Sequence, residues 1–179
     1  LNELDISKIL VNLHHHHEVV EEFLNRDIYK KKVFNLLEKS KSQLAQDIFV
    51  VANTTHKKNN VLIYNKDGKV LDGWSVGFNG AHGLTLSNEG GTEYLYITDP
   101  DLHRVCKTDL NGKLMLEIFY PNEIKEYSSQ DDFKPTETAI APNGDIYVAD
   151  GYGKDFIIKY DQKGNYLGHF GGKGDGKNQ

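Results

Sequence analysis

With 179 residues, 38% of them hydrophobic and 26% charged, the chain has apolar material enough for one sizeable core, which excludes a disordered or fibrous class. A formal net charge of -5, with no Lys/Arg-rich block beyond Lys30-Lys31-Lys32, argues against nucleic acid or an anionic membrane surface as main partner. No apolar run reaches the roughly 18 to 20 residues that span a bilayer, no signal-like core follows the start, and a single cysteine, Cys106, rules out a disulfide within the chain.

The first 46 residues contain neither Gly nor Pro, whereas all 17 Gly and all 4 Pro come later. Apolar residues at Val20, Phe23, Leu24 and Ile28, then at Val33, Leu37 and Leu44, with Glu and Lys between them, predict an N-terminal helical segment within 1–46. His14 to His17 precede that pattern. Adjacent histidines on a helix point in different directions, so this run is read as adventitious metal binding at most.

From Asp47 onward one pattern recurs three times. DIFVVAN (47–53) is followed by NVLIYNKDGKVL (60–71), EYLYITD (93–99) by RVCKTDLNGKLM (104–115), and GDIYVAD (144–150) by FIIKYDQKGNYL (156–167). Each unit is an apolar strand ending in Asp or Asn, a polar loop, a second strand, a turn closed by glycine, and a third strand. GLTL (83–86) and TAIA (138–141) precede the second and third units as candidate innermost strands. The turn glycines Gly68, Gly112 and Gly164 stand 44 and 52 residues apart, close to the roughly 40 to 50 residues of a propeller blade. Residues 47–179 are therefore predicted to form three blades of an all-β β-propeller.

Asp67-Gly68 and Asn111-Gly112 predict tight primed hairpin turns, which need positive φ. Aligned on the glycine, Leu62, Cys106 and Ile158 share one position and Val61, Val105 and Ile157 the next, so Cys106 reads as a small buried hydrophobe rather than a reactive thiol. Asp99 and Asp150 end strands and are expected to accept turn N–H groups. His56, His103 and Asp131-Asp132 fall in polar loops and are expected to be solvated. Residues 170–179 read as a polar loop without the Ser/Thr or helix of a phosphate cradle. Three blades are fewer than the about 4 to 8 of a closed ring, so the chain is expected to be part of a longer protein or to complete a ring with a second copy, and its exposed blade edges to self-associate.

HGLT (82–85), LYITDPDLHRVCKTDLNGK (95–113), FKPTETAIAPNGDIYVADGYG (133–153) and FGGKGDGKNQ (170–179) together resemble NHL-repeat propellers, and among these the peptidyl-α-hydroxyglycine α-amidating lyase family. The resemblance covers 47–179 and implies a six-bladed propeller. Inner-strand histidines would hold a zinc ion in its central channel, with a calcium ion nearby. A tyrosine would help break the C–N bond of a hydroxyglycine to give an amide and glyoxylate. By motif, His82 matches a zinc histidine, Leu84 the residue that offers its backbone carbonyl to calcium, and Tyr152 of DGYG the active-site tyrosine. The other zinc histidines are expected past Gln179, the third unit has Thr136 or Glu137 at the place corresponding to His82, and the family's arginine has no counterpart before Asp47. The implied partner is a small peptide or carbinolamide substrate, and the implied compartment is secreted or periplasmic.

The physical logic is radial. Inner strands converge on a propeller's axis, so one histidine from each of several blades can form an open three-ligand zinc site, where the metal polarises a substrate oxygen and a nearby phenol takes the hydroxyl proton. The alternative is a non-catalytic NHL-repeat propeller that binds a protein, peptide or glycan. In that case His82 packs or hydrogen-bonds at the channel mouth and Tyr152 caps a blade.

Overall fold

In the computed structural model the described residues are the backbone of 47–51 and residues 60–65, 68–174 and 176; the helical segment expected within 1–46, the His14–His17 run and His56 lie outside them. The repeat units fold as antiparallel strands in chain order. β1 (Asp47–Val51), β2 (Val61–Asn65) and β3 (Val70–Trp74) form a three-stranded sheet in the order β1-β2-β3, in a compact unit that ends at Gly77.

The second unit begins at Phe78 and holds two four-stranded sheets. One is β4 (Leu84–Glu89), β5 (Thr92–Asp99), β6 (Arg104–Thr108) and β7 (Leu114–Ile118); the other is β8 (Glu137–Ile140), β9 (Ile146–Ala149), β10 (Phe156–Tyr160) and β11 (Tyr166–Gly171). In both, each strand pairs with the next, the up-and-down blade of a β-propeller. The described chain is thus all-β, as its alternating pattern predicts, with one 3-10 turn at Gln130–Asp132. β11 runs to Gly171, so Phe170 and Gly171 belong to a strand rather than to the polar loop expected there.

The two blades of the second unit share a core. Tyr96, Val105 and Ile118 of the first meet Ile146, Val148 and Ile158 of the second, joined by Ile124, Tyr127 and Phe133 from the connection between them. Val105 and Cys106 are neighbours on β6 and point to opposite faces, yet both are fully buried, as a middle strand covered on both sides requires. Burial pushes the Cys106 thiol up to about 12, which bears out its reading as a packing residue.

The hairpin turns differ from the expected primed type. Gly68, Gly112 and Gly164 have φ of 77°, 84° and 83°, but Asn111 is not among the residues with positive φ. Instead each glycine donates its N–H to the carbonyl three residues back, on Asn65, Asp109 or Asp161. The side chains of those same residues accept the N–H of Lys69, of Asn111 and Lys113, or of Lys163 and Asn165. A register shift beside each turn completes a longer loop with an αL glycine. The side-chain acceptor three places before the glycine competes with the two-residue turn and wins.

Ile158→Ala should cost about 2 to 5 kcal/mol in urea denaturation, whereas Leu167→Ala, at a half-exposed edge position, should cost under about 0.5 kcal/mol. Hydrogen bonds from Asn165 and Lys163 hold the Asp161 carboxyl below its ordinary value. A carboxylate depressed by folding stabilises above its unfolded pKa, and the gain fades as pH falls through the folded value. Asp161→Ala should therefore lower the denaturation midpoint at about pH 7, and the difference from wild type should shrink by about pH 2.

Candidate functional site

Each blade of the second unit is tied at its inner end by the aspartate that closes its second strand. Asp99 is fully buried; its Oδ1 accepts the N–H of Gly80 at 2.9 Å and of Leu102 at 3.1 Å, and its Oδ2 that of Asn79 at 2.9 Å. Asp150, also fully buried, accepts Lys134 N–H on Oδ1 at 2.6 Å and Lys154 N–H on Oδ2 at 2.7 Å. The expectation that these carboxylates bond turn amides holds. In each case the loop after the strand is fastened to the segment that enters the blade's innermost strand.

That fastening sets the place of His82. Its N–H donates to Thr98 O at 2.9 Å, Thr98 N–H donates to Gly83 O at 3.1 Å, and Gly83 N–H reaches Thr98 Oγ1 at 2.6 Å. Two residues thus face one, the count of a β-bulge, which re-aims a side chain. One blade on, Thr136 N–H donates to Ala149 O at 2.8 Å, so of the two candidates Thr136 is the counterpart of His82.

The His82 ring crosses to the next blade. Nδ1–H donates to Thr136 O at 2.9 Å, and since a carbonyl only accepts, this fixes a proton on Nδ1; in the neutral imidazole the Nε2 lone pair then accepts the Tyr152 hydroxyl, also at 2.9 Å. The two rings meet edge to face, with centroids 5.1 Å apart at 88°. Tyr152 is 56% exposed, so the pair borders solvent. Gly83 permits this closeness, because a Cβ there would stand 2.5 Å from Thr136 O and 2.9 Å from Glu137 Cα.

Leu84 buries its side chain, so only its backbone is available to a ligand. Gly83 bonds Thr98, and hydrogen-bonded positions alternate along an antiparallel pair, so Leu84 opposite Ile97 turns its carbonyl off the β5 ladder. Its counterpart, Thr138 O, accepts the Thr85 hydroxyl at 2.9 Å.

These atoms fit one ligand each for the two metals that the resemblance implies. An imidazole whose Nδ1–H is held by a carbonyl, with Nε2 presenting a lone pair, is prepared as a zinc ligand, and a carbonyl off its ladder suits calcium. Among the described residues no group of three or more His, Cys, Asp or Glu is suited to hold a metal, so neither shell is complete there.

Two groups depart from the sequence reading and a third lies outside it, while Asp131 is exposed as expected. His103 is not solvated: with φ of 56°, it donates Nδ1–H to Phe133 O at 2.8 Å, and its Nε2 lies 3.5 Å from Asp131. Asp132 accepts Ser128 N–H at 2.7 Å and pairs with Lys154 at 3.0 Å, contacts that hold its carboxyl below the usual range. Tyr127, which no motif marks, donates its hydroxyl to Asp150 Oδ2 at 2.6 Å. Burial, and then this bond, push the Tyr127 phenol far above its ordinary value, and burial raises the Asp150 carboxyl.

Face-packed up-and-down blades, with His82 just before β4 bonded to Tyr152 of the β9–β10 loop, define a β-propeller-type protein with its candidate site at a blade seam. Known proteins narrow the class. No family model matches the chain. Over 163 residues, 90% of this chain and 43% of the other, it is 31% identical to a probable peptidyl-alpha-hydroxyglycine alpha-amidating lyase of Caenorhabditis elegans. Over 107 residues, 56% of this chain and 18% of the other, it is 35% identical to peptidyl-alpha-hydroxyglycine alpha-amidating lyase 1 of Drosophila melanogaster. Virginiamycin B lyase from Staphylococcus aureus is a structural neighbour at 23% identity and TM-score 0.40, covering 66% of this chain and 42% of that one. The chain thus resembles the amidating lyases in sequence, as its motifs predict, and spans less than half the length of these relatives.

Gly83→Ala should destabilise the protein by about 1 to 3 kcal/mol in chemical denaturation, because the new methyl meets backbone atoms that cannot turn away. An unchanged midpoint would show that the seam is looser than these distances.

Proposed function

We propose that the chain is part of a lyase that cleaves a peptidyl-α-hydroxyglycine between its α-carbon and amide nitrogen, releasing a peptide amide and glyoxylate. One observation carries the reading: His82 Nε2 and Tyr152 Oη, brought from adjacent blades, meet at 2.9 Å at a solvent-facing seam. It is supported by relatives at 31% and 35% identity that bear the lyase name.

The proton accounting assigns each group a task. Tyr152 Oη gives its hydroxyl proton to the leaving amide nitrogen and takes the proton of the substrate's hydroxyl as the carbonyl of glyoxylate forms and the C–N bond breaks. The phenol is thereby regenerated and charge balances. Thr136 O holds His82 in the tautomer that keeps Nε2 as an acceptor. Tyr152 O–H holds that lone pair here; were His82 Nε2 to hold zinc, the Tyr152 hydroxyl would turn toward substrate instead. Zinc bound there would polarise a hydroxyl or carboxylate oxygen of the substrate. Calcium at Leu84 O would brace β4.

The test is glyoxylate release from an α-hydroxyglycine peptide, measured with the zinc content of the full protein. His82→Ala should lose both. Tyr152→Phe should keep the zinc and lower kcat by roughly 10²- to 10⁴-fold with KM little changed, the usual worth of a general acid–base group. A folded, zinc-loaded protein that releases no glyoxylate would instead be a binding propeller.

A further inference from the structure

We infer that Tyr127 is a positioning residue for the His82–Tyr152 pair, acting through the buried carboxylate of Asp150. Two partners of His82, the Thr136 carbonyl and the Tyr152 phenol, hang on that carboxylate. Lys134, whose N–H lies on Oδ1, is two residues before Thr136, and Lys154, whose N–H lies on Oδ2, is two residues after Tyr152. The two segments also touch directly through a long bond from Tyr152 N–H to Lys134 O at 3.4 Å. A turn of Asp150 about its side-chain bonds would therefore displace the Thr136 carbonyl and the Tyr152 phenol together.

The preceding blade shows what is special here. Asp99 accepts from three backbone amides, whereas Asp150 accepts from two and takes its third donor from the phenol of Tyr127. Tyr127 lies in the 119–136 connection, 18 residues long against 9 for residues 75–83 before β4. The longer connection is thus folded inward to put one hydroxyl on the carboxylate of the blade that carries Tyr152. The ring is locked by edge contacts to Tyr120, Phe133 and Phe156, with centroids 5.9, 6.1 and 6.0 Å away. So placed, it is the second donor on Oδ2 beside the Lys154 N–H, and without it that buried oxygen would keep one donor where it now has two, leaving the carboxylate less firmly held. The geometric claim stands by itself; its consequence for turnover rests on the lyase reading above.

The experiment compares Tyr127→Phe, which keeps the ring and removes the hydroxyl, with Tyr160→Phe. Tyr160 is buried in the same core, but its hydroxyl donates to Phe119 O at 3.2 Å rather than to Asp150. In the full chain, NMR follows amide exchange at Lys134 and Lys154 and the cross-relaxation between the His82 and Tyr152 rings. The inference predicts that Tyr127→Phe alone speeds both amides by about tenfold or more and abolishes the ring-to-ring signal, while the rest of the fold is kept. It also predicts a kcat lower by roughly 10- to 100-fold with KM nearly unchanged, the effect of a misplaced group rather than a lost contact. Wild-type exchange and ring contact in Tyr127→Phe would overturn it, as would equal changes in Tyr160→Phe. If wild type releases no glyoxylate, the lyase reading fails, and the NMR measurements still decide the positioning role. If Tyr127→Phe does not fold, exchange in wild type decides: Lys134 and Lys154 amides as slow as those of β9 and β10 support the clamp, and fast exchange overturns it.

Discussion

A carboxylate cut off from water must be met by donors, and that requirement organises the inner ends of both blades. Asp99 and Asp150 are fully buried, so each holds its place only because three donors converge on it. Since the donors belong to the segment entering the blade and to the loop leaving its second strand, satisfying one side chain fixes two stretches of backbone. Burial still raises the Asp150 carboxyl above its ordinary value, so its hydrogen bonds offset the desolvation only in part.

From that constraint the seam follows. With the strand ends fixed, the innermost strands β4 and β8 lie close enough that a side chain at Gly83 would collide with β8, and polar side chains of one strand satisfy carbonyls of the other: His82 on Thr136 O, Thr85 on Thr138 O. His103 adds a third such link, on Phe133 O. The candidate site is thus one of several places where a blade closes on its neighbour. It differs from the His103 link in that the second ring nitrogen of His82 engages a phenol, Tyr152, whereas that of His103 faces the Asp131 carboxylate.

Much of this was legible in the residues. Alternating apolar strands, glycine-closed turns at near-constant spacing and the shared Leu62, Cys106 and Ile158 column are local signals, and the fold repeats them. His82 and Tyr152 were marked by motif, but 70 residues separate them, and no periodicity brings them to 2.9 Å. What escaped was backbone or irregular. The acceptor that sets the His82 tautomer is a main-chain carbonyl, which leaves no trace in residue type. Tyr127 stands in a connection without period, so neither a strand nor a motif points to it. The primed turns were misread because glycine was weighed without Asn65 and Asp109 three places earlier.

The pose of a single imidazole tests the account most directly. Side-chain nitrogen NMR of His82 in the metal-free protein at neutral pH reports which ring nitrogen carries the proton. The account predicts a proton on Nδ1, bonded to the Thr136 carbonyl, with Nε2 coupled to the Tyr152 hydroxyl. A ring protonated on Nε2, with Nδ1 bare, would contradict it, because the Thr136 carbonyl would then have no donor and the bridge between the blades would not exist.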